Sequence, residues 1–186
     1  MQWAIAGILD VRPVDKHPEL VSDAVRALLS ALPDAARAGI GVAAIDADLA
    51  DTAEFCAHYQ SPLDASANCV VVSGKREGDV RFAACMVLAT TRADVNGIVR
   101  KRLDVRKASF APMVEAVELT GREYGGITPV GLPSGWPILI DAAVAVAPEL
   151  VIGSGIRGSK LLVSGELLAT LPGAEVIEGL GQAIAR

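Results

Sequence analysis

The stretch Thr120–Pro133 reads TGREYGGITPVGLP, and the segment Gly125-Gly126-Ile127-Thr128-Pro129-Val130-Gly131 inside it decides how the rest of the chain is read. Paired glycines bring backbone amides close to a ligand because no Cβ stands in the way. Pro129 fixes its own φ and biases Thr128 to an extended shape. Such a loop is stiff, offers N–H groups and suits a polar or developing anionic group such as an ester carbonyl. A plain Gly/Pro turn would use the same residues.

Working outward, Pro112–Thr120 is expected to be a helix, with Pro112 near its start and Gly121 as its stop. The apolar run Trp136–Asp141 (WPILID) after the loop predicts a strand near Trp136–Ile140. Further strands fall near Glu149–Ile152 and Lys160–Val163, turned by Gly153–Gly158. Ser164 can cap a helix over Glu166–Leu171, and Ala174–Ile177 can close the sheet. On the other side, Asp94 can cap a helix from Val95 to about Leu103, with a short strand near Arg106–Ser109 after it. Cys69–Ser73 and Val80–Thr90 predict a hairpin across Gly74–Asp79. Ile40–Ile45 reads as a strand, followed by a helix to about Tyr59 that Asp46, Asp48 or Asp51 could cap. Pro18–Leu32 reads as a helix with Leu20, Ala24, Val25, Leu28 and Leu32 on one face, stopped by Pro33. Strands outnumber helices and are joined in several styles, an α+β pattern rather than regular βαβ alternation.

The chain has 186 residues, enough for one domain with a substantial core; 52% are apolar and only 4% aromatic, so that core is built from Ala, Val, Leu and Ile. No window approaches about 18 uninterrupted apolar residues, so no membrane span is expected. Met1–Leu9 lacks the basic start of a secretory signal. Cys56, Cys69 and Cys85 show no C-x-x-C spacing, which suits reduced cytoplasmic thiols. With only His17 and His58 present, no metal site and no cofactor are expected. The net charge of −5 does not advertise nucleic-acid binding, but Arg92–Lys107 holds six basic residues against Asp94 and Asp104. Within it, Arg100, Lys101 and Arg102 are candidate RNA-binding residues, or else an ordinary solvated helix face.

GGITP followed by VG, then a strand ending in Asp141, then Ile152-Gly153-Ser154-Gly155-Ile156-Arg157-Gly158, resembles the YbaK/EbsC-type aminoacyl-tRNA deacylases, relatives of the editing domain inserted in prolyl-tRNA synthetases. The likeness covers about residues 40–180, leaving 1–38 as an N-terminal helical elaboration of a single domain. It implies a mixed, largely antiparallel, barrel-like sheet flanked by helices. It also implies hydrolysis of a mischarged amino acid from the tRNA 3′ end in the cytoplasm, with a synthetase as a possible further partner. Catalytic relatives carry a lysine where this chain has Asn68, whose amide donates and accepts hydrogen bonds but has no charge.

The resemblance and the residues together nominate Asn68, Gly125, Gly126 and Lys160 for catalysis. Ile127, Thr128, Pro129, Asp141, Ser154 and Gly155 are nominated for substrate binding. Lys160 lies just beyond the Gly155–Gly158 turn and is expected to supply the cation that position 68 lacks, the bland alternative being a solvated hairpin lysine. Asp141 would orient a substrate ammonium or a loop amide, or simply cap a strand end. Cys69 is either a core residue or a nucleophile. Two further functions stay open: a non-catalytic module that binds aminoacylated RNA or a synthetase, and a Cys69-dependent thioesterase-type hydrolase.

Overall fold

The computed structural model describes residues 3–184. Eleven strands run in the order β1 (Arg12–Pro13), β2 (Gly41–Ala44), β3 (Ala67–Arg76), β4 (Asp79–Leu88), β5 (Thr91–Ala93), β6 (Ala108–Phe110), β7 (Ile138–Asp141), β8 (Leu150–Gly153), β9 (Ser159–Val163), β10 (Ala174–Ile177) and β11 (Gly181–Ala183). Seven α-helical segments lie among them: α1 (Asp23–Ala31), α2 (Asp34–Ala38), α3 (Thr52–Tyr59), α4 (Arg100–Arg102), α5 (Met113–Thr120), α6 (Ala142–Ala145) and α7 (Gly165–Ala169). In place of one continuous sheet there are a four-stranded sheet β1-β2-β9-β8, a five-stranded sheet β10-β7-β4-β3-β6, and the pair β11-β5. The two larger sheets meet at a bridge between Ser66 and Val151. Among the described strand pairs only β7 with β4 and β10 with β7 run parallel, besides the single Ser66–Val151 bridge, so the α+β, largely antiparallel expectation holds.

The β3–β4 hairpin is longer than the sequence suggested: its register runs from Ala67 opposite Leu88 to Arg76 opposite Asp79. Glu77 and Gly78 alone make the turn, both at positive φ, as a two-residue primed turn requires. The segment expected as one helix from Val95 begins instead as a wide π-type turn over Val95–Val99 before the single α turn of α4. Asp94 caps it as foreseen, accepting from the amides of Gly97 (2.9 Å) and Ile98 (3.1 Å). The predicted Pro18–Leu32 helix breaks at Val21, because Ser22 caps a new start by accepting from the Val25 amide.

Three apolar clusters follow from the period-two alternation of the strands. Leu161 and Val163 of β9 join Val25, Leu29, Ile140 and Ile152 in the largest, so the N-terminal helix packs into the main core. Val72, Cys85 and Leu139 form a second cluster under Val95, Val99 and Leu103. Leu162, on the opposite face of β9 from its neighbours, meets Ala43, Val151 and Phe55 of α3 in the third. Each fully buried Leu or Val contributes roughly 1.5–3 kcal/mol of apolar burial.

Candidate functional site

Lys160 is in mid-strand in β9, paired with Ala43 on one side and Gly153 on the other. Alternation puts its side chain on the Leu162 face, toward α3, and Gly153 has no side chain to obstruct it. The residue is only 7% exposed. Its Nζ donates to the carbonyls of Ala50 (2.7 Å) and Gly125 (3.3 Å) and lies 5.4 Å from the centre of the Phe55 ring. Desolvation pulls its pKa down to about 8; Asp51 opposes the shift and Arg157 adds to it.

This ammonium lines a cavity of about 320 Å³ whose wall also includes Asn68, Cys69, Gly125, Ile127, Val151 and Asp51. The Asn68 side chain is oriented by Thr52, whose hydroxyl donates to Oδ1 at 2.9 Å. Asn68, Gly125, Ile127 and Lys160, distant in sequence, therefore meet at one wall. Among the described residues no protein acceptor takes the amides of Gly125 or Ile127.

The other nominated residues lie behind that wall. The Gly126 amide donates to Glu123 O (2.9 Å) and its carbonyl accepts from Gly155 N (2.8 Å), so Gly126 fastens the two glycine loops together rather than facing the cavity. A Cβ on Gly126 would fall 2.6 Å from Ile156 O, which is why this position needs glycine. Thr128 is fully buried with an unpartnered hydroxyl, and Pro129 borders a different cavity beside Trp136. Ser154 shares a 2.7 Å hydrogen bond with the Ser159 hydroxyl. Gly155 sits at φ +91° against Ser22. Asp141 accepts from the amides of Ala143 (3.0 Å) and Gly181 (2.7 Å), a capping arrangement that occupies both carboxylate oxygens.

Arg100, Lys101 and Arg102 are not on the wall either. They follow the turn that covers the second apolar cluster; Arg102 makes a bidentate pair with Glu175, and the Arg100 Nε donates to Asn96 O at 2.8 Å. The basic stripe read from the sequence is thus partly neutralised and belongs to a different part of the surface.

Sequence reasoning missed the rim. Tyr124, Asp51 and Met113 border the cavity, and Arg157 stands beside Gly125. The Arg157 guanidinium donates to Tyr124 O at 3.2 Å and lies 5.1 Å from the centre of the Tyr124 ring. The usable signal was an aromatic directly before the glycine pair in a chain with few aromatics. Also missed was Arg122, a buried guanidinium that donates to the carbonyls of Thr120, Val130 and Gly131 and so ties both ends of the glycine loop.

Cys69 faces the cavity, but its thiol is pushed far above the ordinary range by desolvation, with Cys85 adding and Arg122 opposing. Burial likewise pushes Cys85 up to about 12. Both are thiols near neutrality, and the thiol is not the nucleophilic form. Treatment with iodoacetamide at pH 7.5 is expected to leave both unlabelled in the native protein, and Cys69→Ala to match wild type in any ester cleavage. Peptide mass mapping and a deacylation assay check this; loss of cleavage would restore the thioesterase reading.

In this mixed-sheet protein a cation and backbone groups thus converge on a small, partly apolar cavity, the kind of concavity in which small-molecule sites occur. Residues 46–171 match the aminoacyl-tRNA editing domain family, and the chain belongs to that family. Among solved structures it is similar to a candidate trans-editing enzyme for prolyl tRNA synthetase, at 22% identity and a TM-score of 0.69 over 88% of this chain and 99% of that one. It is also similar to hypothetical protein APE2540, at 21% identity and a TM-score of 0.66 over 76% of this chain and 90% of that one. A scaffold protein used for epitope grafting shares the fold, at 21% identity and a TM-score of 0.69 over 88% and 100% of the two chains. At these identities the solved structures speak for the fold. No helix among the described residues is long and apolar enough to cross a membrane.

Proposed function

We propose that this protein hydrolyses the ester of a mischarged tRNA in trans, with Lys160 supplying the cation of the site. The observation that carries the reading is the buried Lys160 ammonium on the same cavity wall as Asn68, Gly125 and Ile127. Water attacks the ester carbonyl carbon, its proton passing to solvent, and negative charge develops on the carbonyl oxygen. The Lys160 ammonium, aided by the amides of Gly125 and Ile127, offsets that charge. The C–O bond then breaks, the ribose oxygen takes a proton from solvent to leave as a hydroxyl, and the amino acid departs as its carboxylate. The Asn68 amide, held by Thr52, orients the ester rather than activating water. Holding ester and water in register can lower the barrier by several kcal/mol, up to roughly 7–11 in the best cases, so no strong side-chain base is required. Editing is needed because one methylene gives a synthetase only about 10–200-fold discrimination.

A panel of tRNAs carrying different wrong amino acids is the test, with release of the amino acid as the readout. Faster release than the uncatalysed rate from at least one is the expected result, and the part due to protein should fall as pH rises through about 8, where Lys160 loses its proton. The absence of charge at Asn68 favours one second reading, a module that binds the aminoacylated end without cleaving it. Tight binding with no release from any member of the panel would establish that alternative.

A further inference from the structure

The rim of the cavity carries an aromatic that the deacylation chemistry does not use. Tyr124 is 49% exposed, in a chain whose other aromatics are mostly packed, and Met113 on the same rim is 47% exposed. Arg157 backs the tyrosine ring at 5.1 Å and is itself held by Tyr124 O at 3.2 Å and by the Asp51 carboxylate at 3.5 Å. The backbone amide of Arg157 donates to the Glu123 carboxylate at 2.6 Å, so the segment carrying it is fixed as well. A guanidinium therefore lies over the ring, which still leaves half of the residue exposed beside the cavity. Tyr124 and Met113 thus stand exposed together at the rim of the cavity that Lys160 lines.

We infer that Tyr124 is a stacking platform for a nucleobase, the terminal adenine of the RNA whose ester enters the cavity, with Met113 bordering the same slot. The inference rests on the proposed deacylation and adds its nucleotide subsite. A planar base suits the exposed ring because stacking needs a flat π-face and tolerates a wet rim. The Arg157 guanidinium over the ring adds a cation–π contact and places positive charge beside the slot. An amino-acid side chain fits this position poorly, since the ester must reach Lys160 deeper in.

The probe is a non-hydrolysable 3′-aminoacylamido-adenosine, studied by saturation-transfer NMR and by titration with wild type, Tyr124→Ala, Tyr124→Phe and Met113→Ala. Expected are transfer to the adenine H2 and H8 protons in wild type, and a rise in Kd of about 10- to 100-fold for Tyr124→Ala, the range of one lost base–aromatic stack. Tyr124→Phe, which keeps the ring, should bind like wild type, and Met113→Ala should weaken binding by less than Tyr124→Ala. The same analogue with an abasic sugar should bind wild type and Tyr124→Ala equally. An unchanged Kd in Tyr124→Ala, or equal binding of adenosine and abasic probes to wild type, overturns the inference. Stacking without cleavage of any charged tRNA would leave the platform standing and remove the deacylase. Cleavage with no Tyr124 dependence of KM would do the reverse.

Discussion

Lys160→Met is expected to slow ester cleavage by about 100- to 1,000-fold, the usual cost of losing one donor to a developing oxyanion. The fold should survive. Burial lowers the folded-state pKa of Lys160 to about 8, so between there and the unfolded value of 10.5 the unfolded chain binds the proton more readily. The group's contribution to stability therefore improves as pH rises through that window and is fully unfavourable below it, by about 3 kcal/mol on linkage grounds. Methionine removes that penalty but leaves the carbonyls of Ala50 and Gly125 without their donor, at about 1 kcal/mol each. At pH 7 the variant should thus be as stable as wild type or up to about 2 kcal/mol more stable, with the difference shrinking toward pH 10. Denaturant unfolding at both pH values, beside a deacylation assay, reads both effects. Wild-type cleavage by Lys160→Met would leave the cavity without its cation role.

Gly153→Ala should be among the most damaging single-methyl changes. A Cβ there would lie 2.4 Å from Ile127 O and 2.6 Å from Gly126 O, both backbone atoms that cannot swing aside. The glycine loop must retreat, which puts the Gly155–Gly126 hydrogen bond at risk and draws Gly125 away from Lys160. Overpacking of this kind costs roughly 1–3 kcal/mol, or about 2–12 °C in Tm for a chain of this size. Cleavage should fall at least tenfold even where the fold persists, because misplacement by about 1 Å can cost 100-fold in rate. Gly158→Ala is the control: its nearest neighbour is Ile45 O at 4.0 Å and its φ is ordinary, so stability should move by less than about 0.5 kcal/mol. Equal melting of the two variants would show that the loops are not held together at Gly153.

Much of the fold was legible because its signals are local. Asp94 and Ser164 cap where their spacing said they would, and Gly121 stops α5 in the left-handed conformation. The two apolar runs on either side of Gly74–Asp79 identified the hairpin. Its exact turn was missed because Glu77 at positive φ is favoured by the twist of the paired strands, not by its own type. Short elements such as β1, β5 and β11 exist only through pairing with distant strands, which no local pattern records. The meeting of Asn68, Gly125 and Lys160 could be anticipated only through family resemblance. The capping of Asp141, the burial of Thr128 and the diversion of Arg102 to Glu175 depend on neighbours far away in sequence. Arg157 has no spacing of its own that marks it, whereas Tyr124 stands directly before the glycine pair and only its place on the cavity rim depends on the fold.

The two carbonyls that hold the Lys160 ammonium have a consequence for how long anything stays in the cavity. An intact ester or the freed ribose hydroxyl offers an oxygen no better than the carbonyls of Ala50 and Gly125, so drawing the ammonium away from them gains almost nothing. An oxygen bearing nearly a full negative charge is a far stronger acceptor and wins the exchange. The peptide groups thus act as built-in competitors, setting a threshold of charge below which a visitor is not retained. The freed RNA end therefore leaves readily while the amino-acid carboxylate competes for the ammonium, and a neutral ester mimic would make a poor inhibitor where a tetrahedral anion would make a good one.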